Sequence, residues 1–520
     1  MAEGPWHAGR VTSPCLWLCL VLAGAAQTSA VLAGDLRPGR PYTHHAVLQR
    51  EQPCPVFGTD RPGTRVTVEF AGQTLSATAG ADGTWRVVLG PLPATATPRS
   101  LVLRGSGEVT LTNVVVGDVW LVAGQSNADF PLASAAGGRA AAAAATNPLV
   151  RCLHLAEAVQ TTAVAWKPAQ VARLNAREFF TGSWQPSTPA AAAAVSALGW
   201  FFAREMQVTQ GVPVGLIDCT VGGTPIESWI PEAALAAHPR LRAVTEDFLG
   251  SPRVAMFAKE RLRRNLADWD RAGRAAPMPD HPYKPGVCWR FGLAGVAPFA
   301  MRGVLWYQGE TNADFPDPAE YALMARWHTE AFTLLVTSWR AAWGRDTLPF
   351  YFVQLPRLNR PSWPWFRESQ WECARTIPGT AMAVAWEYGE PGNVHPVQKE
   401  PVARRLARLA RALSHGEPIE WSGPLPRGHR VEGGSMVVEF EHAGGGLASS
   451  DGQPLRLFEV AGADRRFHAA TAVVEGSAVR VSSPQVPEPV AVRHAWVPDG
   501  RLNLVNRAGL PATPFRTDAW

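Results

Sequence analysis

Gly117-Asp118-Val119-Trp120-Leu121-Val122-Ala123-Gly124-Gln125-Ser126-Asn127 carries the reading of this chain. Val119 to Val122 is a short, unbroken apolar run closed by a glycine, the texture of a strand buried on both faces of a parallel sheet. A hydroxyl flanked by two amides follows directly, in a turn that begins at Gly124. Working outward, runs of the same kind recur at Val150 to Leu155, Val214 to Ile217, Val304 to Tyr307, Phe350 to Leu355 and Met382 to Trp386. Helical periodicity fills the intervals. Leu198, Phe201, Phe202 and Met206 share one face, and Val402, Leu406, Leu409 and Leu413 share another, with Pro401 suited to that helix's first turn. The alternation predicts an α/β fold, a parallel sheet flanked by helices. The alanine runs 140–145 and 190–194 fit either a helix or a low-complexity insertion.

On both sides the texture changes to alternating strands. Val66, Val68 and Phe70 alternate with polar residues, Asp82-Gly83 marks a turn, and Trp85, Val87 and Leu89 alternate again. After Leu413 the pattern returns at Met436 to Phe440, Leu455 to Val460, Ala478 to Val481 and Val490 to Trp496. The expected division is a β-sandwich-like domain over 34–115, an α/β domain over 116–412 and a C-terminal β domain over 413–520. Residues 1–33 have the layout of an export signal: His7 and Arg10 precede the apolar run Cys15 to Ala26, and small residues follow at Thr28-Ser29-Ala30. That run is too short to cross ~30 Å of hydrocarbon, and no later stretch approaches a membrane span. A secreted or periplasmic protein is expected.

The 520 residues, 46% hydrophobic and 18% charged, suit a globular protein with several cores and exclude a disordered chain or a coiled coil. The net charge of +5 comes almost wholly from arginine, the only lysines being Lys167, Lys259, Lys284 and Lys399. No basic patch stands out, so nucleic acid is not an expected partner. Of the seven cysteines, Cys15 and Cys19 fall in the signal. The remaining five form no Cys-x-x-Cys pair and read as mostly buried small hydrophobes, with at most one or two disulfides.

Ligands of open α/β sheets bind beyond the carboxyl ends of the strands, so the residues following each run matter most. There stand Gly124-Gln125-Ser126-Asn127, Val221-Gly222-Gly223-Thr224, Gln308-Gly309-Glu310 and Asn393-Val394-His395-Pro396. These types meet the needs of acyl transfer: a hydroxyl nucleophile, an imidazole to carry its proton, and donors aimed at a tetrahedral oxyanion. Ser126 is the expected nucleophile and His395 the base. The expected donors are the N–H of Ser126, the N–H of Gly223 or its neighbour Gly222, and the side-chain amide of Gln308. No His-Glu-x-x-His or comparable cluster appears, so no metal ligands are assigned.

Gly117-Asp118-Val119-Trp120 into Gly124-Gln125-Ser126-Asn127, Gly222-Gly223-Thr224-Pro225-Ile226-Glu227-Ser228-Trp229, Trp306-Tyr307-Gln308-Gly309-Glu310-Thr311-Asn312 and Val394-His395-Pro396 with Lys399 resemble the sialate O-acetylesterase family, within the SGNH hydrolases. Val47-Leu48-Gln49-Arg50 and Pro514-Phe515-Arg516-Thr517-Asp518 extend the resemblance across the mature chain. It implies an SGNH-like sheet and a serine esterase that takes acetyl groups from sugar hydroxyls without a cofactor. It also implies Ser126 and His395 in catalysis, and Gly222, Gly223, Gln308 and Asn127 in the oxyanion and substrate-binding set. Related families with the same core deacetylate xylan and other plant polysaccharides, so the acetylated sugar stays open. The chain departs from the family at Ala128, where Met is common, and at Asn393, where many bacterial members carry Asp. With Asn393 in that place, Glu390 is the first candidate for the acid beside His395 and Glu310 the alternative. An amide in that role lowers turnover ~10⁴-fold in a known triad. The competing reading is therefore a catalytically weak glycan-binding protein whose Trp side chains stack on sugar rings.

Overall fold

A computed structural model describes residues 36–520, and the expected export signal over 1–33 lies outside the described residues. At the centre are strands β1 (Glu108–Gly124), β2 (Val150–His154), β3 (Trp184–Pro186), β4 (Val214–Thr220), β5 (Gly303–Tyr307), β6 (Phe350–Val353) and β7 (Thr380–Ala383). They lie in the order β3-β2-β4-β1-β5-β6-β7. All neighbours are parallel except β3, which pairs antiparallel with β2 at the edge. Chain order reverses beside β1, which puts Ser126 at a switch point, where open sheets leave a crevice. The mixed α/β fold with several sheets agrees with the sequence reading.

Helices α1 (Ala197–Gln210), α2 (Tyr321–Trp343), α3 (Trp363–Thr376) and α4 (Glu400–His415) accompany the sheet. The Ser196 hydroxyl caps α1 by accepting from Gly199 N–H, and Gly211 ends it at φ 67°. Leu198, Phe201, Phe202 and Met206 are buried, as their spacing predicts. On α4, Val402, Leu406 and Leu409 are buried but Leu413 is 45% exposed. Leu413 returns to nearly the angular position of Val402 about three turns on, but it stands in the last turn of α4, beside Ser414, whose hydroxyl hydrogen-bonds the Tyr351 hydroxyl at 2.7 Å. The alanine runs enter short helices, Gly138–Ala143 and Pro189–Ala194.

Strand β1 is 17 residues long. Its first half pairs with Thr95–Arg104 and Val47–Gln49, and its second half with β4 and β5, so the N-terminal β segment is hydrogen-bonded into the central sheet. At its middle Asp118 has no exposure and binds the guanidinium groups of Arg50 and Arg302. Toward the C-terminus Leu425–Glu432, Ser435–Glu441, Thr471–Glu475 and Ala478–Ser482 form one four-stranded sheet. Phe458–Ala461, Phe467–Ala469, Ala491–His494 and Phe515–Arg516 form another, and Met436, Val438, Val460, Val479 and Val492 pack between these strands. The five cysteines among the described residues are buried and unbridged. No helix among the described residues is long and apolar enough to cross a membrane.

Candidate active site

The turn after β1 exposes Ser126 because Gly124 takes φ 134°, where a side chain would strike the Tyr307 carbonyl. The loop before α4 brings His395 over it, and His395 Nε2 stands 2.8 Å from Ser126 Oγ. Both line a cavity of about 420 Å³ together with Gln125, Gly222, Gly223 and Glu310. Burial, followed by the charge of Lys399, lowers the His395 pKa below the ordinary histidine value. The ring is therefore neutral near pH 7, the state in which Nε2 can take a proton.

The Gly222 to Gly223 turn is aimed by its neighbours. Thr161 Oγ1 and Tyr283 Oη donate to the Gly222 carbonyl at 2.8 and 3.0 Å. In a planar trans peptide the N–H of Gly223 points opposite to that carbonyl, away from those hydroxyls. Gly223 has φ 72°, and a Cβ there would run into Tyr283 Oη. Neither the Gly223 N–H nor the Ser126 N–H has an acceptor among the described residues. Both are backbone donors left free beside Ser126 Oγ.

Other sequence-predicted residues stand elsewhere. Gln308 has no exposure and does not line the cavity, and its Nε2 donates to Asn312 Oδ1 at 2.6 Å and to the Thr224 carbonyl at 3.2 Å. Its NH₂ group is committed inside the protein, while its Oε1 is buried without a partner. Asn127 is also buried away from the cavity: Nδ2 donates to Glu310 Oε1 and to the Val394 carbonyl, while Oδ1 accepts from Lys399 Nζ. It ties the nucleophile turn to the histidine loop. Burial pushes Glu310 up and Lys399 down to about 7, each opposing the other's shift.

Neither Glu390 nor Glu310 hydrogen-bonds His395, and His395 Nδ1 has no partner among the described residues. The reason lies in Asn393. Its Oδ1 accepts from the His395 N–H at 2.9 Å, and its Nδ2 donates to the His395 carbonyl and to Glu390 Oε2, both at 3.1 Å. An aspartate has no donor for the last two bonds. Glu390 thus acts on the loop through Asn393.

Sequence reasoning missed Asp129, Tyr283, Thr161 and Arg261, which also line the cavity. Asp129 accepts from Thr220 Oγ1 at 3.0 Å, and burial, then the Asp218 carboxylate, pushes its pKa up. Its place three residues after Ser126 was the available signal. Tyr283 lies in a loop far from any strand-end motif and gave none.

A hydroxyl on a neutral imidazole, beside free backbone donors in a cavity, is hydrolase chemistry, and relatives narrow it. Residues 116–245 and 266–412 match the family described as carbohydrate esterase, sialic acid-specific acetylesterase. The crystal structure of a carbohydrate acetylesterase from Xanthomonas citri is similar at 34% identity and TM-score 0.75, covering 93% of this chain and 100% of that one. Sialate O-acetylesterase of Rattus norvegicus is 27% identical over 459 residues, 79% of each chain. The Homo sapiens sialate O-acetylesterase is 25% identical over 423 residues, 73% of this chain and 71% of its own length. The protein is a carboxylic ester hydrolase. Within that class the chain belongs to the carbohydrate esterase, sialic acid-specific acetylesterase family.

Proposed function

We propose that the protein is an exported, secreted or periplasmic, serine esterase that hydrolyses O-acetyl esters on carbohydrates, with Ser126 as nucleophile and His395 as base. One observation carries the reading: the 2.8 Å contact between Ser126 Oγ and His395 Nε2 on the wall of the cavity. Ser126 Oγ attacks the acetyl carbonyl carbon while its proton passes to His395 Nε2. The N–H groups of Ser126 and Gly223 receive the negative charge that develops on the carbonyl oxygen. Collapse breaks the bond to the sugar oxygen, which leaves as an alcohol with the proton from His395. A water then gives a proton to the same nitrogen as its oxygen bonds the acetyl carbon; the bond to Ser126 Oγ breaks, acetate leaves, and the proton returns from His395 to Ser126 Oγ.

The strand order around β1 favours an SGNH-type sheet as the frame. The division at 34–115, 116–412 and 413–520 belongs to the same proposal, with the first boundary falling inside β1, so that the N-terminal unit is fastened to the catalytic sheet. Family membership favours a sialate as the sugar, and Arg261 adds a cation in the cavity whose hydrogen bonding is to the Thr161 carbonyl alone among the described residues. Acetate release from 9-O-acetyl sialic acid, acetylated xylan and other acetylated glycans, compared side by side, tests this. The expected result is the highest kcat/KM on the sialate. A preference for xylan by orders of magnitude would replace the sialate reading and leave the chemistry standing.

With no carboxylate on His395 Nδ1, serine and histidine act as a pair, and Glu390 is a positioning residue. Glu390→Ala is expected to lower kcat by less than about tenfold, against the ~10⁴-fold of a lost triad acid. Steady-state kinetics on p-nitrophenyl acetate decides, and a loss near 10⁴-fold would make Glu390 the acid.

A further inference from the structure

The cavity is also lined by an amide, that of Gln125. Gln125 is only 3% exposed, yet it lines the cavity beside Ser126. Its Oε1 accepts from Thr311 N–H at 3.2 Å, Gly309 N–H at 3.4 Å and Gln308 Nε2 at 3.2 Å. A backbone N–H can only donate, so the atom facing Gly309 and Thr311 is the oxygen, and the NH₂ group points away from them. Gln125 Nε2 has no acceptor among the described residues, although it is not sealed from solvent as the orphaned polar atoms of the interior are.

The orientation is fixed by a relay anchored on backbone groups that cannot be reversed. The Ile226 N–H donates to Asn312 Oδ1 at 2.9 Å, so Asn312 Nδ2 faces the Glu227 carboxylate, at 3.0 Å from Oε2. Trp327 Nε1 donates to the same carboxylate at 2.5 Å. Gln308 Nε2 spans Asn312 Oδ1, the Thr224 carbonyl and Gln125 Oε1, which fixes it as the nitrogen. Each link determines the next; Gln308 Oε1 is left buried without a donor, and the free donor at the cavity end of the series is the Gln125 NH₂ group. Three donors on one carbonyl oxygen also polarise that amide and make its N–H a stronger donor.

We propose that Gln125 is a further catalytic residue, whose Nε2 donates to the acyl oxygen of the bound ester and joins the N–H groups of Ser126 and Gly223. The sequence pattern gave this place to Gln308, which instead holds Gln125 in position. The proposal rests on Ser126 being the nucleophile. A donor aimed at charge that develops only in the transition state acts on kcat more than on KM.

Gln125→Glu tests it, because the glutamate keeps an oxygen for the three donors and replaces the NH₂ group with a second oxygen. Gln125→Met, which offers neither, is measured beside it and stands in should the glutamate variant fail to fold. On p-nitrophenyl acetate both are expected to lose about 10²–10³ in kcat with little change in KM. The deficit of Gln125→Glu relative to the wild type should shrink as pH falls and its carboxyl gains a proton to donate, whereas that of Gln125→Met should stay constant. A kcat within about threefold of the wild type in the folded variants, or equal deficits at every pH in both, would overturn the proposal. Ser126→Ala run in parallel separates the failures. Turnover retained by Ser126→Ala removes the nucleophile assignment itself, whereas an inactive Ser126→Ala beside a fully active Gln125→Glu removes only the role of Gln125.

Discussion

Ser126→Ala is expected to lower kcat on p-nitrophenyl acetate by about 10⁴–10⁶, to the floor set by binding and the oxyanion donors alone. The size follows from the chemistry: without Oγ there is no acyl-enzyme, and the lowered pKa of His395 serves nothing. Because hydroxyl and imidazole act as one unit, His395→Ala should fall to a similar floor, and the double variant should be no worse than either single one. Steady-state kinetics on all three, with circular dichroism to confirm folding, measures this. Additive losses in the double variant would mean that the two side chains serve different steps.

Asp118→Ala is expected to destabilise the fold by about 3–5 kcal/mol, the cost of taking the buried counter-charge from two largely buried cations and leaving them only the exposed Glu51 carboxylate. The carboxylate has no exposure and receives Arg50 Nε and Nη2 at 3.0 Å, Arg302 Nε at 3.0 Å and Nη2 at 2.8 Å, and Gln49 Nε2 at 3.1 Å. The two arginine side chains are themselves only 14% and 20% exposed. These bonds gather the segment after Val47–Gln49, the middle of β1 and the residue before β5 at one point, so their loss loosens the sheet that supports Ser126. Burial pushes Asp118 up, but the two guanidinium groups outweigh it and hold its pKa below the ordinary aspartate value. A carboxylate lowered in the folded state contributes stability above the ordinary carboxylate range and loses it as pH falls through the folded value. Urea unfolding of wild type and variant should therefore differ by this amount at neutral pH and converge in acid. A neutral-pH difference under about 1 kcal/mol would rank the cluster with surface ion pairs.

The parts of the molecule legible in the sequence are those set by apolar pattern. Val119 to Val122 and Val304 to Tyr307 announce buried strands, because unbroken β-branched and aromatic runs have no solvent face. Ser126 and His395 were legible because they follow such runs, where parallel sheets open. The direction of an amide was not. Gln125 and Gln308 are equivalent as letters, and only the backbone N–H groups of Gly309 and Thr311 reveal which of them faces the cavity. The same holds for Asn393, where spacing suggested a missing carboxylate and the folded loop uses both ends of the amide. Leu413 shows the limit of periodicity itself, since it shares the angular position of Val402 and yet, in the last turn of α4, is 45% exposed.

Covalent trapping with a serine-directed phosphonate measures most directly whether Ser126 is the nucleophile of this esterase. The expected result is stoichiometric loss of p-nitrophenyl acetate turnover, with a single phosphonyl group mapped by peptide mass spectrometry to Ser126 and no adduct on Ser126→Ala. An adduct on another residue, or full turnover in the presence of excess phosphonate, would contradict it.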